Sequence, residues 1–461
     1  MKIFRSSVLG LGLVSVLLAV SHAQAQTKAQ GPACDLTRET ISVLRAPVYG
    51  SLTSWEASYG AKGQHVQFAG GVALPQHTVM AYAGRIDQQT SKAAETGLLE
   101  LNRRGRTMVE RFYPAKDDEQ PVALAQVEDR FVGASNIRVG KNHDRHVRLS
   151  FYERDGTFKS GQTISDAAYD LEALRIVPAV DGAGFVVLIH AVARRDKTDQ
   201  SAMLMRFTAD GKQVWKRSYR PGTSNKLAGL AATDDSGYIA TGGIMMNDGR
   251  MGGWVLKLSY DGTILWQRTY PRGKYALLNA GAVSPKKTPD GVSYYIVTGV
   301  ATPADSGPDA AWVMELDPHG ELFWQRYLRR PDYRFEGQDI KPQKDGRFVV
   351  TMNAAVDKPR PDYNDHIRMV TLSARGAILN DESFLRGLKA RVAQVAQSSG
   401  GDIALTATVL QPQKKPEEEY GPYKPLPAGQ PPAEPPPLEQ GWIAVVPAPA
   451  AYDDPCGPVR R

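Results

Sequence analysis

Residues 254–270 read WVLKLSYDGTILWQRTY, and the fold is decided by this stretch. Trp254, Leu256 and Leu258 alternate with Val255 and Lys257, the period of two that places successive side chains on opposite faces of a strand. Tyr260-Asp261-Gly262 is a turn signal, and Ile264 to Tyr270 runs back, so the segment is expected to be a β-hairpin.

The same phrase recurs. Its turn glycine is found at Gly105, Gly156, Gly211, Gly262, Gly320 and Gly376, spaced 51 to 58 residues apart. Four residues after the glycine come Trp215, Trp266 and Trp324; eight after it come Tyr113, Tyr219, Tyr270 and Phe384, with Tyr327 one place early. Offsets of four and eight keep these rings on one face of a strand. Upstream of each hairpin lie a second turn and strand, as in Ser236 to Gly242, preceded by a less regular apolar strand such as Leu227–Ala232. Four antiparallel strands repeated at this interval predict an all-β chain, a single β-propeller.

Six complete units fit between Val66 and Arg386, and a seventh starts at Leu388. Pro447, Pro449, Pro455 and Pro458 deny that unit a fourth strand, because proline has no N–H for a ladder. Trp55-Glu56-Ala57-Ser58-Tyr59 has the right Trp-x-x-x-Tyr spacing but no unit before it. The expectation is a seven-bladed ring closed by N- and C-terminal strands in the last blade, which pairs an otherwise open edge. Cys34 and Cys456 flank those two strands, and a disulfide between them would clasp the ring. Residues 411–440 carry ten prolines and are expected to form an extended insertion in the last blade.

Residues 1–25 read as an export signal: Lys2 and Arg5, an uncharged apolar run from Val8 to Val20, then Ala23-Gln24-Ala25 as a cleavage site. Residues 26–461 would then be one propeller in the periplasm or outside the cell, where the two cysteines can oxidise. With no CxxC and only two thiols, zinc or iron–sulfur sites built on thiolate clusters are excluded. The balance of 56 Lys+Arg against 49 Asp+Glu is too even to imply nucleic-acid binding.

Asp210-Gly211-Lys212-Gln213-Val214-Trp215, Asp261-Gly262-Thr263-Ile264-Leu265-Trp266 and His319-Gly320-Glu321-Leu322-Phe323-Trp324 resemble the bacterial PQQ-like (quinoprotein-like) propeller repeat. There, an aspartate–glycine turn leads into a strand ending in tryptophan. The likeness is strongest over residues 200–330. It implies a propeller whose relatives range from quinone-dependent dehydrogenases to outer-membrane assembly scaffolds. The dehydrogenases have adjacent cysteines and eight blades, neither of which this sequence offers, so no quinone or other cofactor is expected.

No G-x-S-x-G, HExxH or phosphate-cradling loop occurs. His143 and His146 form the one close histidine pair, but three residues apart at a strand edge they face opposite ways, so no metal site is assigned. His190, in the apolar run 185–191, reads as a hydrogen-bonded core histidine. Asp362 to His366 offers oxygen ligands without the glycine and distal glutamate of a calcium loop. No catalytic residues are assigned.

The inter-blade loops are basic, through Arg272 and Lys274, Arg329, Arg330 and Arg334, and Arg386, Lys389 and Arg391, with Tyr275, Tyr333 and Phe335 beside them. Asp248, Asp305, Asp309, Asp357, Asp362 and Asp365 lie in the companion loops. Converging on one mouth, the basic groups would attract an anionic ligand and the rings would stack on it. The expected function is a monomeric, non-catalytic binding module or scaffold for a protein partner or an anionic polymer or glycan. The alternative is a hydrolase or lyase acting on an anionic polymer, or a divergent quinoprotein. Exchange of Arg329 and Arg330 is expected to leave stability nearly unchanged.

Overall fold

The hairpin at 254–270 is built as its residues dictate. Gly262 holds a left-handed φ of 81°, Ser259 N–H donates to Thr263 O at 2.9 Å, and the Asp261 carboxylate accepts from the Ser259 and Thr263 hydroxyls. This is the three-residue hairpin loop in which glycine closes a type I turn. A computed structural model describes residues 37–449 apart from 52, 61–63, 88–93, 116–117, 221–223, 304–306, 359–362 and 413–436. The expected leader at residues 1–25, Cys34, Cys456 and Asp362 lie outside the described residues.

The chain is an all-β propeller; among the described residues the one helical turn is a 3-10 turn at Pro75–His77. No helix among them is long and apolar enough to cross a membrane. Two strands come first, β1 (Glu39–Val43) and β2 (Trp55–Tyr59). Sheets then follow in chain order: β3–β6 (Gln64–Leu74, Thr78–Asp87, Glu95–Leu101, Thr107–Pro114) and β7–β10 (Gln120–Val127, Arg130–Val139, Asp144–Tyr152, Phe158–Ile164). Next is β11–β14 (Tyr169–Pro178, Phe185–Ala193, Gln200–Phe207, Gln213–Tyr219). Two sets of four follow: β15–β18 (Asn225–Ala232, Tyr238–Met245, Met251–Leu258, Ile264–Tyr270) and β19–β22 (Tyr275–Lys287, Ser293–Thr302, Ala310–Leu316, Leu322–Arg329). The last are β23–β26 (Tyr333–Pro342, Phe348–Val356, His366–Leu372, Ile378–Phe384) and β27–β29 (Lys389–Gln397, Ile403–Gln411, Leu438–Val446).

Five sheets stand apart as four-stranded blades, not the seven expected. The physical reason is one parallel pair, Met251 with Tyr275, which joins β15–β18 to β19–β22. With β1 added in parallel beyond β22, these strands form a nine-stranded sheet. β2 pairs antiparallel with β29, Trp55 opposite Val445 and Tyr59 opposite Gly441. The innermost strands touch in succession from β3 to β27, and β27 touches β3.

The tryptophan and tyrosine of the repeat work between sheets. The Tyr270 hydroxyl donates to Gly320 O at 2.6 Å and Tyr219 to Gly262 O at 2.7 Å. Trp266 Nε1 donates to Pro318 O at 2.9 Å, and its ring lies so close that a Cβ on Gly320 would sit 2.7 Å from it. Trp55 and Tyr59 do the same at Gly105, with the Tyr59 hydroxyl 2.9 Å from Gly105 O. The outer strands β2, β14 and β18 therefore each cap the turn of the next unit and pack a large ring there, a strong packing contribution.

β1 belongs to an unforeseen strap. From Thr37 to Tyr59 the chain crosses the outer edges of three sheets, pairing with β22, bridging at Tyr49 to Ser383 of β26, and ending as β2 on β29. Leu44 is buried in the core shared by β19–β26. Arginines hold the strap's carbonyls: Arg326 bonds Thr37 O at 3.0 Å, Arg330 bonds Leu44 O at 3.4 Å, and Arg368 bonds Arg45 O at 2.8 Å. The proline-rich insertion is shorter than expected, because Leu438, Glu439 and Gln440 pair with Gln411, Leu410 and Val409.

Candidate functional site

Every innermost strand carries the same irregularity. The register shifts at Phe68/Gly70, Pro121/Ala123, Ala173/Arg175, Leu227/Gly229, Leu278/Ala280, Gly337/Asp339 and Val392/Gln394, and β19 shifts again at Val283/Lys287. An extra residue of this kind bends a strand and re-aims its side chains. The residue before each shift is largely packed away, whereas the one before that reaches solvent: Gln67, Gln120, Glu172, Lys226, Leu277, Glu336 and Arg391. Both signs of charge alternate around this ring. Of the basic loop residues named above, only Arg391 stands in this ring.

Within the ring, three sheets meet in a cleft of about 290 Å³ lined by Tyr275, Asp309, Arg334, Glu336, Asn353 and Arg391. β19 places Tyr275, the start of β21 follows Asp309, and β23 places Arg334 and Glu336 two residues apart on one face. Asp309 accepts from the Thr302 hydroxyl at 2.6 Å, and Glu336 from the Asn279 amide at 3.0 Å. Asn353 accepts from Val392 N–H at 3.0 Å, tying β24 to β27. Arg334 is 3.5 Å from Asp357, while Arg391 makes no ion pair among the described residues. Tyr275 is 39% exposed; burial of its hydroxyl, then the charges of Glu336 and Asp309, raise its pKa. It stays a protonated donor beside two carboxylates. The cleft thus offers two guanidinium groups, two carboxylates, an amide and a phenol ring.

Of the residues read from the sequence, Tyr275, Asp309, Arg334, Phe335 and Arg391 come together here, Phe335 as a fully buried floor. The others do not. Arg272 turns outward to Gln325 and, at 3.4 Å, to Glu39 of the strap. Lys274 donates its main-chain N–H to Thr302 O. Arg329 holds the strap through its main chain, opposite Val43 and accepting from Leu44 N–H. Arg330 bonds Leu44 O and the Tyr363 hydroxyl and pairs with Asp332 at 3.4 Å. Arg386 pairs with Glu56 of β2 at 2.5 Å and lies over the Trp442 ring. Tyr333 is fully buried, stacked on Tyr363 and edge-on to His366, so it offers no stacking surface. Glu336 and Asn353 were not signalled by loop composition; Glu336 stands one residue before Gly337 at the strand shift, and Asn353 is its cross-strand partner on β24.

The histidines take no part. His146 Nε2 is 3.4 Å from Arg194, and His143 sits at a turn with φ 53°. His190 is buried, which lowers its pKa, but its Nδ1 has no hydrogen-bond partner. That corrects the reading of a satisfied core histidine. No group of three or more His, Cys, Asp or Glu side chains suited to a metal occurs among the described residues.

No family model matches the sequence, and no curated protein matches it. Solved structures similar to it include puromycin hydrolase, at 13% identity and TM-score 0.46, covering 78% of this chain and 54% of that one. The chain spans about half the length of that hydrolase. Others are a protein of unknown function from Dyadobacter fermentans (9%, TM-score 0.42, 86% and 99% covered) and the β-propeller domain of the Trilobed protease from Pyrococcus furiosus (8%, 0.41, 74% and 91%). At these identities the likeness concerns the fold alone.

Proposed function

We propose that the chain is an exported, non-catalytic propeller that binds a protein partner at the three-sheet cleft. The observation that carries this reading is the cleft itself: Arg391 without an ion pair, Arg334, Tyr275, Glu336 and Asp309 meet from three sheets that no single repeat could supply. Because both charges are present, a polypeptide segment bearing acidic and basic side chains suits it better than a polyanion. The leader-like residues 1–25 support export, and the Asp-Gly turn with its tryptophan supports a PQQ-like repeat.

In the same reading the nine-stranded sheet counts as two blades, giving a ring of seven whose last blade takes β2 as its outer strand. The seven equivalent strand shifts and the Trp55–Tyr59 contacts with Gly105 favour that count. The Cys34–Cys456 clasp belongs to it too. Arg326 bonds both Thr37 O and Arg375 O, and Arg347 bonds Pro449 O, so the two described ends flank the same sheet, β23–β26.

The test is a pull-down from the producing cell's envelope with wild type and an R334A/R391A variant as bait. Capture by wild type that is lost in the variant, with an unchanged melting curve, supports the cleft. Capture by both would move the interface elsewhere. Turnover of an anionic polymer by the purified protein would replace the non-catalytic reading.

A further inference from the structure

The turn glycine of each repeat lies against side chains of the unit before it. Tryptophan rings cover four of these turns: Trp55 at Gly105, Trp215 at Gly262, Trp266 at Gly320 and Trp324 at Gly376. Val109 and Arg111 cover Gly156, and Phe151 and Gln162 cover Gly211. The rings also meet an aromatic of the next unit's second strand, Trp266 at 6.0 Å from Tyr295 and Trp324 at 6.3 Å from Phe348. Their N–H groups find acceptors there, Pro318 O for Trp266 and His77 O for Trp55.

The seam between β26 and β27–β29 departs from this pattern in three ways. Asn380 stands opposite Thr371, as Trp266 stands opposite Lys257, so a short amide takes the place of the ring. Ile403 opens β28 where Phe348 opens β24. No turn joins β29 to its outer neighbour, because β2 comes from the other end of the chain and Pro447 to Pro449 follow β29 instead. Ring, turn and facing aromatic are all missing, and a cavity of about 360 Å³ stands in their place. Val349, Met369, Ile403 and Val446 wall it, and no aromatic side chain lines it. Its size falls in the range of roughly 300–1,000 Å³ usual for small-ligand sites.

The lining is apolar apart from a few groups, of which two matter. Asn380 and Glu382 lie two residues apart on one face of β26. Asn380 Nδ2 donates to Glu382 Oε1 at 2.6 Å, and Glu382 makes no ion pair among the described residues. A carboxylate has room for further donors. The Met369 thioether is a favourable neighbour for an aromatic ring.

We propose that this seam binds one small planar aromatic molecule with an N–H donor, an indole, seated where the chain omits its own tryptophan and donating to Glu382. The other interfaces supply the template: the same fold position takes an indole ring and gives its N–H an acceptor. The site is separate from the partner cleft, since Val349 near the start of β24 lines one and Asn353 near its end lines the other.

The experiment is a methyl NMR titration of the whole chain with indole, N-methylindole and cyclohexanol. Indole should shift the Met369 and Ile403 methyl signals saturably and leave Met203, in a core cluster away from the seam, unmoved. N-methylindole lacks the donor and should bind on the order of tenfold more weakly, the loss of one hydrogen bond to a charged group. N380W restores the chain's own ring, so it should raise the melting temperature and abolish the saturable shifts. Absent shifts in wild type, equal shifts with cyclohexanol, equal affinity for the two indoles, or undiminished binding by N380W would each overturn the proposal. Should N380W fail to fold, the three wild-type titrations decide it alone.

Discussion

Arg330 and Arg391 both belong to basic stretches between outer and innermost strands, and they do opposite things. Arg330 leaves an outer strand and is spent on the strap, with Leu44 O, Tyr363 and Asp332 around it. Arg391 sits on an innermost strand, opens on the cleft and has no ion pair among the described residues. A loop between blades travels from the rim of the molecule to its axis, so a charge's place along it decides its role. Rim arginines are structural because a strap covers them. Axial ones open on the cleft.

The largest test of that division is Arg368, which is fully buried with Asp381 at 2.6 Å through both nitrogens and also holds Arg45 O. R368M should cost about 3–5 kcal/mol in chemical denaturation, because it strands a buried carboxylate. A loss near zero would mean the strap is not held from the rim.

His366 gives the next effect. It is buried between Tyr49 of the strap and Tyr333, with Nδ1 2.9 Å from Asn364 O and Arg368, Asp365 and Asp381 nearby. Burial pushes its pKa down from 6.5 to about 4. The fold thus holds it neutral: its contribution is complete above pH 6.5 and is lost as pH falls toward 4. That loss is about 3 kcal/mol, read from unfolding free energies between pH 7 and 4. H366F should flatten that acid limb; an unchanged slope assigns it to other groups.

Smaller again is R330A, which should lower stability by about 1–2 kcal/mol through its lost hydrogen bonds to the strap while leaving partner capture intact. R391A should do the reverse, changing stability by less than about 0.5 kcal/mol and weakening capture. If R330A weakened capture as much as R391A, the rim-and-axis distinction would fail.

The repeat was legible because its signals are local. An Asp-Gly turn and a Trp-x-x-x-Tyr strand need only their own residues, and the partner of each ring lies one repeat further on. The orphan Trp55–Tyr59 was readable for the same reason. β1 was not: Glu39–Val43 alternates only between exposed and half-buried and carries no repeat residue. The cleft was half legible. Loop charge located Arg334, Arg391 and Asp309, but which of the basic residues face the axis depends on a strand shift with no residue signature. Tyr333 misled because an aromatic beside arginines has the same composition in a stacking surface as in a core.

The strap gives the chain a way of registering its own completeness. Trp55–Tyr59 is made among the first of the described residues and β29 among the last, and the Gln440 bond to Gly60 O spans 380 positions. Until β29 exists, β2 has no strand to pair with. Contacts this distant form slowly, and open strand edges invite wrong pairings meanwhile. A chain cut short anywhere before Leu438 therefore leaves β2 without its partner strand, whatever the quality of the sheets already folded.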